Sequence, residues 1–138
     1  MSEWRHKDMW SMDGQNFMVQ VSRHSEPVRE EAWCYDSEGP HRWCVYVYVY
    51  PKHPHFAQFN GTEDMWQDAA AQMPMHGGPS LCRKHLNGKT GEVTSYQVGA
   101  DYHHLHDWRF TQYATKDDAR QVFSDAEELH AWLTERAK

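Results

Sequence analysis

Apolar and polar positions alternate in several stretches of this chain, and that alternation predicts strands. Phe17, Val19 and Val21 share one face of a strand over residues 17 to 22. The clearest run covers residues 41 to 50, with Trp43, Val45, Val47 and Val49 on one face and Cys44, Tyr46, Tyr48 and Tyr50 on the other. Neither face is strongly polar, which predicts a central strand covered on both sides. Residues 80 to 86 and 93 to 98 read as two further strands joined by the turn sequence Asn87-Gly88-Lys89-Thr90-Gly91. Short strands are expected at residues 31 to 35 and 108 to 113, and residues 1 to 13 read as an irregular arm or short helical turn.

Two stretches switch to helical spacing. Thr62 is placed to cap a helix running to about Met73, with Trp66, Ala69, Ala70 and Met73 on one side and Pro74 as its stop. Ala119, Val122, Phe123, Ala126, Leu129 and Leu133 mark a long C-terminal helix, and Thr115 with Asp118 resembles its capping box. Strands followed by a helix, a hairpin and a long helix predict an α+β fold. It is expected to be one domain: a mainly antiparallel sheet with the C-terminal helix and a second, shorter helix packed on it. Residues 1–40 supply an N-terminal arm and first strands, and residues 41–138 the core region.

Composition adds a heavy aromatic load, with seven Trp, seven Tyr and five Phe in 138 residues. Such a chain buries a sizeable core and is unlike a disordered segment. The formal net charge of -6 argues against a general nucleic-acid binder, although partial protonation of the eleven histidines would cancel much of it. Three cysteines without C-x-x-C spacing fit free thiols in a reducing cytoplasm. Cys44 reads as core. No apolar run is long enough to predict a signal peptide or a membrane span.

The candidate chemistry sits in three polar knots. The densest is Gly99 to Asp107, where three histidines and two aspartates follow a strand. Within it, Asp101, His104 and Asp107 are spaced by three, so a helical turn would spread them over about 120° of one side. On an extended strand they would face opposite ways, so convergence needs a turn just after Gly99. Mixed imidazole and carboxylate ligands suit Zn, Mn, Fe or Ni better than Ca. The same residues also make an acid/base pair in which an aspartate orients His104. Alternatively, the aspartates cap a turn and His104 is a buried, hydrogen-bonded histidine. His103 and His106 read as solvent-exposed.

The second knot is His76-Gly77-Gly78, followed by Ser80. Two glycines tolerate positive φ and close approach, and their N–H groups can form an anion nest; Gly77, Gly78 and Ser80 are therefore substrate-binding candidates. The third is His53-Pro54-His55-Phe56, where His53 is the candidate ligand and His55 is expected to cover the surface. Cys82, six residues after His76, leaves a His/Cys/His zinc site open. The Tyr46, Tyr48 and Tyr50 stripe reads as packing against a helix or as a stacking platform for bases.

Order and spacing of these knots resemble a family of uncharacterised small proteins of bacteriophages and prophages. The resemblance covers roughly residues 41 to 135. It rests on the Val45-Tyr46-Val47-Tyr48 run, His53-Pro54-His55-Phe56, the segment from Met75 to Leu81 and the segment from Gly99 to Asp107, followed by the helix. Ala100 and Tyr102 stand where that family has an aromatic residue and a cysteine. The resemblance implies a site of His53, His76, Asp101, His104 and Asp107 and a place in the host cytoplasm, without supplying an activity.

The leading expectation is an enzyme-like protein for metal-assisted or acid/base hydrolysis of a phosphoester or nucleotide. His76, His104, Asp101 and Asp107 would carry the chemistry, and His53, His76, Asp101, His104 and Asp107 would be the metal ligands. The alternatives are a binding protein without turnover, which sequesters a small ligand or blocks a host defence protein, and a structural or assembly accessory.

Overall fold

The computed structural model describes residues 7–27, 39–59, 68–104 and 107–137. Five strands form one antiparallel sheet: β1 (Lys7–Gly14), β2 (Phe17–Ser25), β3 (His41–Val49), β4 (Leu81–Leu86) and β5 (Val93–Asp101). Their order across the sheet is β1-β2-β3-β5-β4, so β3 is central as its sequence predicts. Helix α1 covers Asp68–Ala71 and helix α2 covers Arg120–Arg136, and 3-10 turns occupy Pro54–Phe59 and Trp108–Gln112. The fold is α+β. None of the described helices is long and apolar enough to cross a membrane.

Register assigns the faces. Val45 pairs with Val21 on one side and Ala100 on the other, and Val47 with Val19 and Val98, so these side chains share a face. Phe17, Trp43, Val49, Tyr96 and Tyr102 join them, all nearly inaccessible to solvent. Val122, Ala126, Leu129 and Leu133 of α2 close over this face, as their spacing predicts. Trp10 stacks on Trp43 at 5.6 Å and meets Phe123 edge-on at 5.2 Å, and Phe59 stacks on Tyr96 at 4.3 Å. Each large side chain buried here contributes about 1.5–3 kcal/mol of transfer free energy.

The opposite face differs from expectation. Cys44, Tyr46 and Tyr48 are half-buried there rather than covered, so Cys44 is outside the main core. Tyrosine makes this workable, because its ring packs while its hydroxyl stays wet. His85 stacks on Tyr48 at 6.0 Å, and its Nε2–H donates to Gln97 Oε1 at 2.8 Å.

Three local predictions also change. Residues 7 to 13 are strand, not an irregular arm; β1 pairs with β2 through the turn at Gln15 and Asn16, whose φ is 66°. Residues 108 to 112 are a 3-10 turn rather than a strand, with Phe110 buried and Trp108 exposed. Thr115 Oγ1 does accept the Asp118 N–H at 3.2 Å, but this closes the turn before α2, whose own N-cap position is Ala119. The strand expected at residues 31 to 35 and the first half of the helix expected from Thr62 lie outside the described residues.

Candidate functional site

β5 keeps its strand geometry two residues beyond Gly99, to Asp101, and the reversal comes after it. The Tyr102 N–H still donates to Trp43 O at 2.9 Å, which sends the Tyr102 ring into the core. Asp101 Oδ1 then accepts the His103 N–H at 3.0 Å, and Asp107 Oδ2 accepts the His104 N–H at 3.0 Å. Both aspartates therefore cap turns, as short carboxylates do. Each also faces the same imidazole: His104 Nε2 lies 3.3 Å from Asp101 Oδ1, and His104 Nδ1 lies 3.2 Å from Asp107 Oδ2. Occupying both contacts with hydrogen bonds takes two N–H donors, that is the imidazolium, or a cation in place of a proton.

His76 reaches the same carboxylate from another segment. Its loop turns through Gly77 and Gly78, with φ of 69° and 82°, conformations that favour glycine. The Gly78 N–H donates to Met75 O at 2.9 Å, so half of the expected anion nest is already spent on closing the turn. A Cβ on Gly77 would sit 3.4 Å from the His104 ring, which places this turn directly against His104. His76 Nε2 lies 2.8 Å from Asp107 Oδ1. Its ring is held by stacking on Tyr102 at 4.4 Å and by an edge contact with Phe110 at 5.4 Å.

The result is a chain of contacts, Asp101–His104–Asp107–His76, graded in exposure. The Asp107 side chain is 8 % exposed, His76 25 % and His104 40 %. Burial pushes the Asp107 carboxyl up, but the His104 N–H and the His76 and His104 rings outweigh it, so the group is held below the usual carboxylate range and is ionised at neutral pH. Burial, then the bond to Asp125, pushes the Tyr102 hydroxyl up, so it stays protonated and donates to Asp125 Oδ2 at 2.5 Å. A polar cleft of about 280 Å3 runs from His76 and Met75 to Gln121, Asp125 and Glu128 of α2.

His76, His104 and Asp107 each offer one ligand atom within 4.8 Å of the others. A tetrahedral ion with ligand bonds near 2.0–2.1 Å needs edges of about 3.3 Å. The contacts to Asp107, 2.8 Å from His76 Nε2 to Oδ1 and 3.2 Å from His104 Nδ1 to Oδ2, both fall just below that value.

His53 is not brought to this site. It is fully buried, its Nδ1 accepts the His55 N–H at 3.1 Å, and its Nε2 donates to Leu133 O at 2.9 Å. Both ring nitrogens are thus committed to backbone groups, which corrects its assignment as a substrate or metal ligand. His55 is also buried, against the expectation that it covers the surface; its Nε2 donates to Ala69 O at 2.8 Å. Ser80 is exposed near Gly99, to which its N–H donates at 2.8 Å, on the far side of β5 from His76. Cys82 is buried beside Val98 and is not in the ligand cluster. His103 is exposed as expected, and His106 lies outside the described residues.

Sequence reasoning missed Tyr102, Phe110 and Asp125, which hold and flank His76. Tyr102 had a signal, since it extends the alternation of Tyr96, Val98 and Ala100. Asp125 had none, because its role depends on where α2 lies over the sheet. Compared with protein-family models, curated proteins and solved structures, the chain gives no match.

Proposed function

We propose that the protein binds one divalent transition-metal ion through His76, His104 and Asp107 and uses it to hydrolyse a phosphoester or nucleotide. The observation that carries this reading is Asp107, an ionised carboxylate held between imidazoles from two separate segments at a half-exposed rim. Imidazole with carboxylate is the ligand chemistry of Zn, Mn, Fe or Ni. The surroundings argue the same way. Asp101, Asp125 and Glu128 lie around the cluster, and an anionic substrate approaches such a rim only when a cation offsets it. The ion would supply Lewis acidity and a bound water acidic near neutral pH. Asp101 then orients His104 from its Nε2 side, the attacking water passes its proton to solvent at this open rim, and the ester oxygen leaves with a proton from solvent.

One geometric fact favours a metal-free variant of the same chemistry. His76 is both oriented by Asp107 and clamped on Tyr102, the arrangement of a general base. Elemental analysis and thermal shifts with Zn, Mn and Ni on untagged protein separate the two. The metal reading expects one ion per chain, a raised Tm, and loss of both in His76→Ala and His104→Ala, together with metal-dependent cleavage of a generic phosphoester. An unchanged Tm with all three ions overturns it, and phosphoester cleavage that survives chelation assigns the chemistry to the His76–Asp107 pair alone.

A further inference from the structure

A second cavity adjoins the cluster from the open face of the sheet. It measures about 200 Å3 and is lined by Cys44, Tyr46, Ser80, Leu81, Gly99 and Asp101. Asp101 belongs to both places: it lines this cavity, and its Oδ1 lies 3.3 Å from His104 Nε2. Whatever sits here is therefore one residue away from the proposed reacting centre.

The lining says what fits. A Cβ on Gly99 would come within 2.5 Å of Tyr46 Cδ1, so the phenol ring rests directly on the bare backbone of β5. That makes a flat aromatic wall whose position is fixed by the absence of a side chain. Burial, then Cys44, pushes the Tyr46 hydroxyl up, so this wall carries a neutral phenol and no anion. Leu81 supplies an apolar edge and Ser80 a hydroxyl at the exposed rim. The charged group is the Asp101 carboxylate: its Oδ1 accepts the His103 N–H and faces His104, and its Oδ2 is the acceptor for a ligand edge that offers N–H donors. Pockets for drug-sized ligands measure about 300–1,000 Å3, so this one takes a single flat ring system and leaves the rest of the ligand outside.

We propose that the cavity is a nucleobase subsite, which takes a guanine-type ring with adjacent imino and amino N–H groups against Tyr46 and Asp101. The sugar and phosphate then extend along the Asp101 rim toward His104 and His76. Base–aromatic contacts of this kind are worth about 1–3 kcal/mol, and loss of a paired donor edge adds discrimination between bases. The direction of the phosphate rests on the hydrolytic reading above; recognition of the ring does not.

Calorimetric titration of the full-length protein with guanosine, adenosine, cytidine and ribose 5-phosphate, with and without Zn, tests this. Guanosine is expected to bind in chelator as well as with Zn, at least tenfold tighter than adenosine, while ribose 5-phosphate does not compete for the cavity. Tyr46→Leu should weaken guanosine tenfold or more, and Asp101→Asn should reduce the preference over adenosine. Ser80→Phe fills the cavity from its exposed rim, so it should abolish guanosine binding at unchanged Tm even if Tyr46→Leu folds poorly. Guanosine affinity unmoved by Ser80→Phe, or equal affinity for all three nucleosides, overturns the proposal. If Zn binds and no nucleoside does, the subsite falls alone; if guanosine binds and no metal does, the metal reading falls alone.

Discussion

His53 and His55 sit beneath one end of the sheet, and His76 and His104 stand at the rim of the other polar knot. All four are histidines in short polar segments next to strand ends, yet their surroundings differ in kind. The first pair bonds to carbonyl and N–H groups of the backbone, is 1 % exposed, and has no carboxylate among its hydrogen-bond partners in the described residues. The second pair bonds to Asp107, with Asp101 beyond, and reaches solvent. A buried imidazole that bonds only to the main chain is a staple. One that shares a carboxylate with another imidazole keeps a charge to work with. The partner, more than the residue, decides the role.

The sharpest way to break this comparison is to remove one member of each pair. His53→Ala should cost about 2–4 kcal/mol in urea unfolding, since it empties a core position packed on Phe17 and strands Leu133 O. Metal affinity should be unchanged. Asp107→Asn should come next, at about 1–3 kcal/mol, because the carboxylate accepts a backbone N–H and faces two rings; it should also abolish metal binding. Gly77→Ala forces an L residue into the left-handed region and should cost about 1 kcal/mol, with a weaker metal affinity because the added methyl meets His104. His104→Ala should be smallest, within about 0.5 kcal/mol, yet should remove the ion entirely. If His104→Ala instead unfolds the protein as His53→Ala does, both pairs are staples and the distinction collapses.

Acid titration sharpens the contrast by sign. Burial lowers the His55 pKa, and the bond to Ala69 only partly offsets it. The unfolded chain therefore binds the proton more readily, so stability is full above the unfolded value of about 6.5 and declines as pH falls below it. Protonation would also place an N–H on Nδ1, which has no hydrogen-bond partner among the described residues. Asp107 is likewise held below its ordinary value, so its contribution persists to much lower pH and is lost as pH falls through its folded pKa. Urea midpoints against pH should show two separate declines; His41, lowered by burial and by Arg23 and Arg42, shares the upper one, so His55→Phe should shrink that decline and leave the lower one in place.

Most of the sheet and α2 were legible because period-two and helical patterns coincide with real burial: Trp43, Val45, Val47 and Val49 inward in β3, Val122 to Leu133 inward in α2. β1 was hidden by its composition. Its inward positions are Asp8, Trp10 and Met12, where Asp8 pairs with Arg23, and the outward Met9 is exposed, so polarity does not track the face. The segment after Asp107 misled for a different reason. Trp108 and Phe110 mimic strand alternation, but Phe110 is buried and Trp108 is 48 % exposed, and the chain turns instead. In the site, the spacing of Asp101, His104 and Asp107 was readable as local chemistry. The fate of His53 was not, because its partner is a carbonyl 80 residues away at the end of α2.

The stacked indoles of Trp10 and Trp43 have a use of their own. Two transition dipoles at that separation couple, and the resulting circular-dichroism couplet exists only while β1 is zipped onto β2. The chain thus carries its own optical gauge of edge-strand docking, readable without a label and independent of anything bound at the histidine rim.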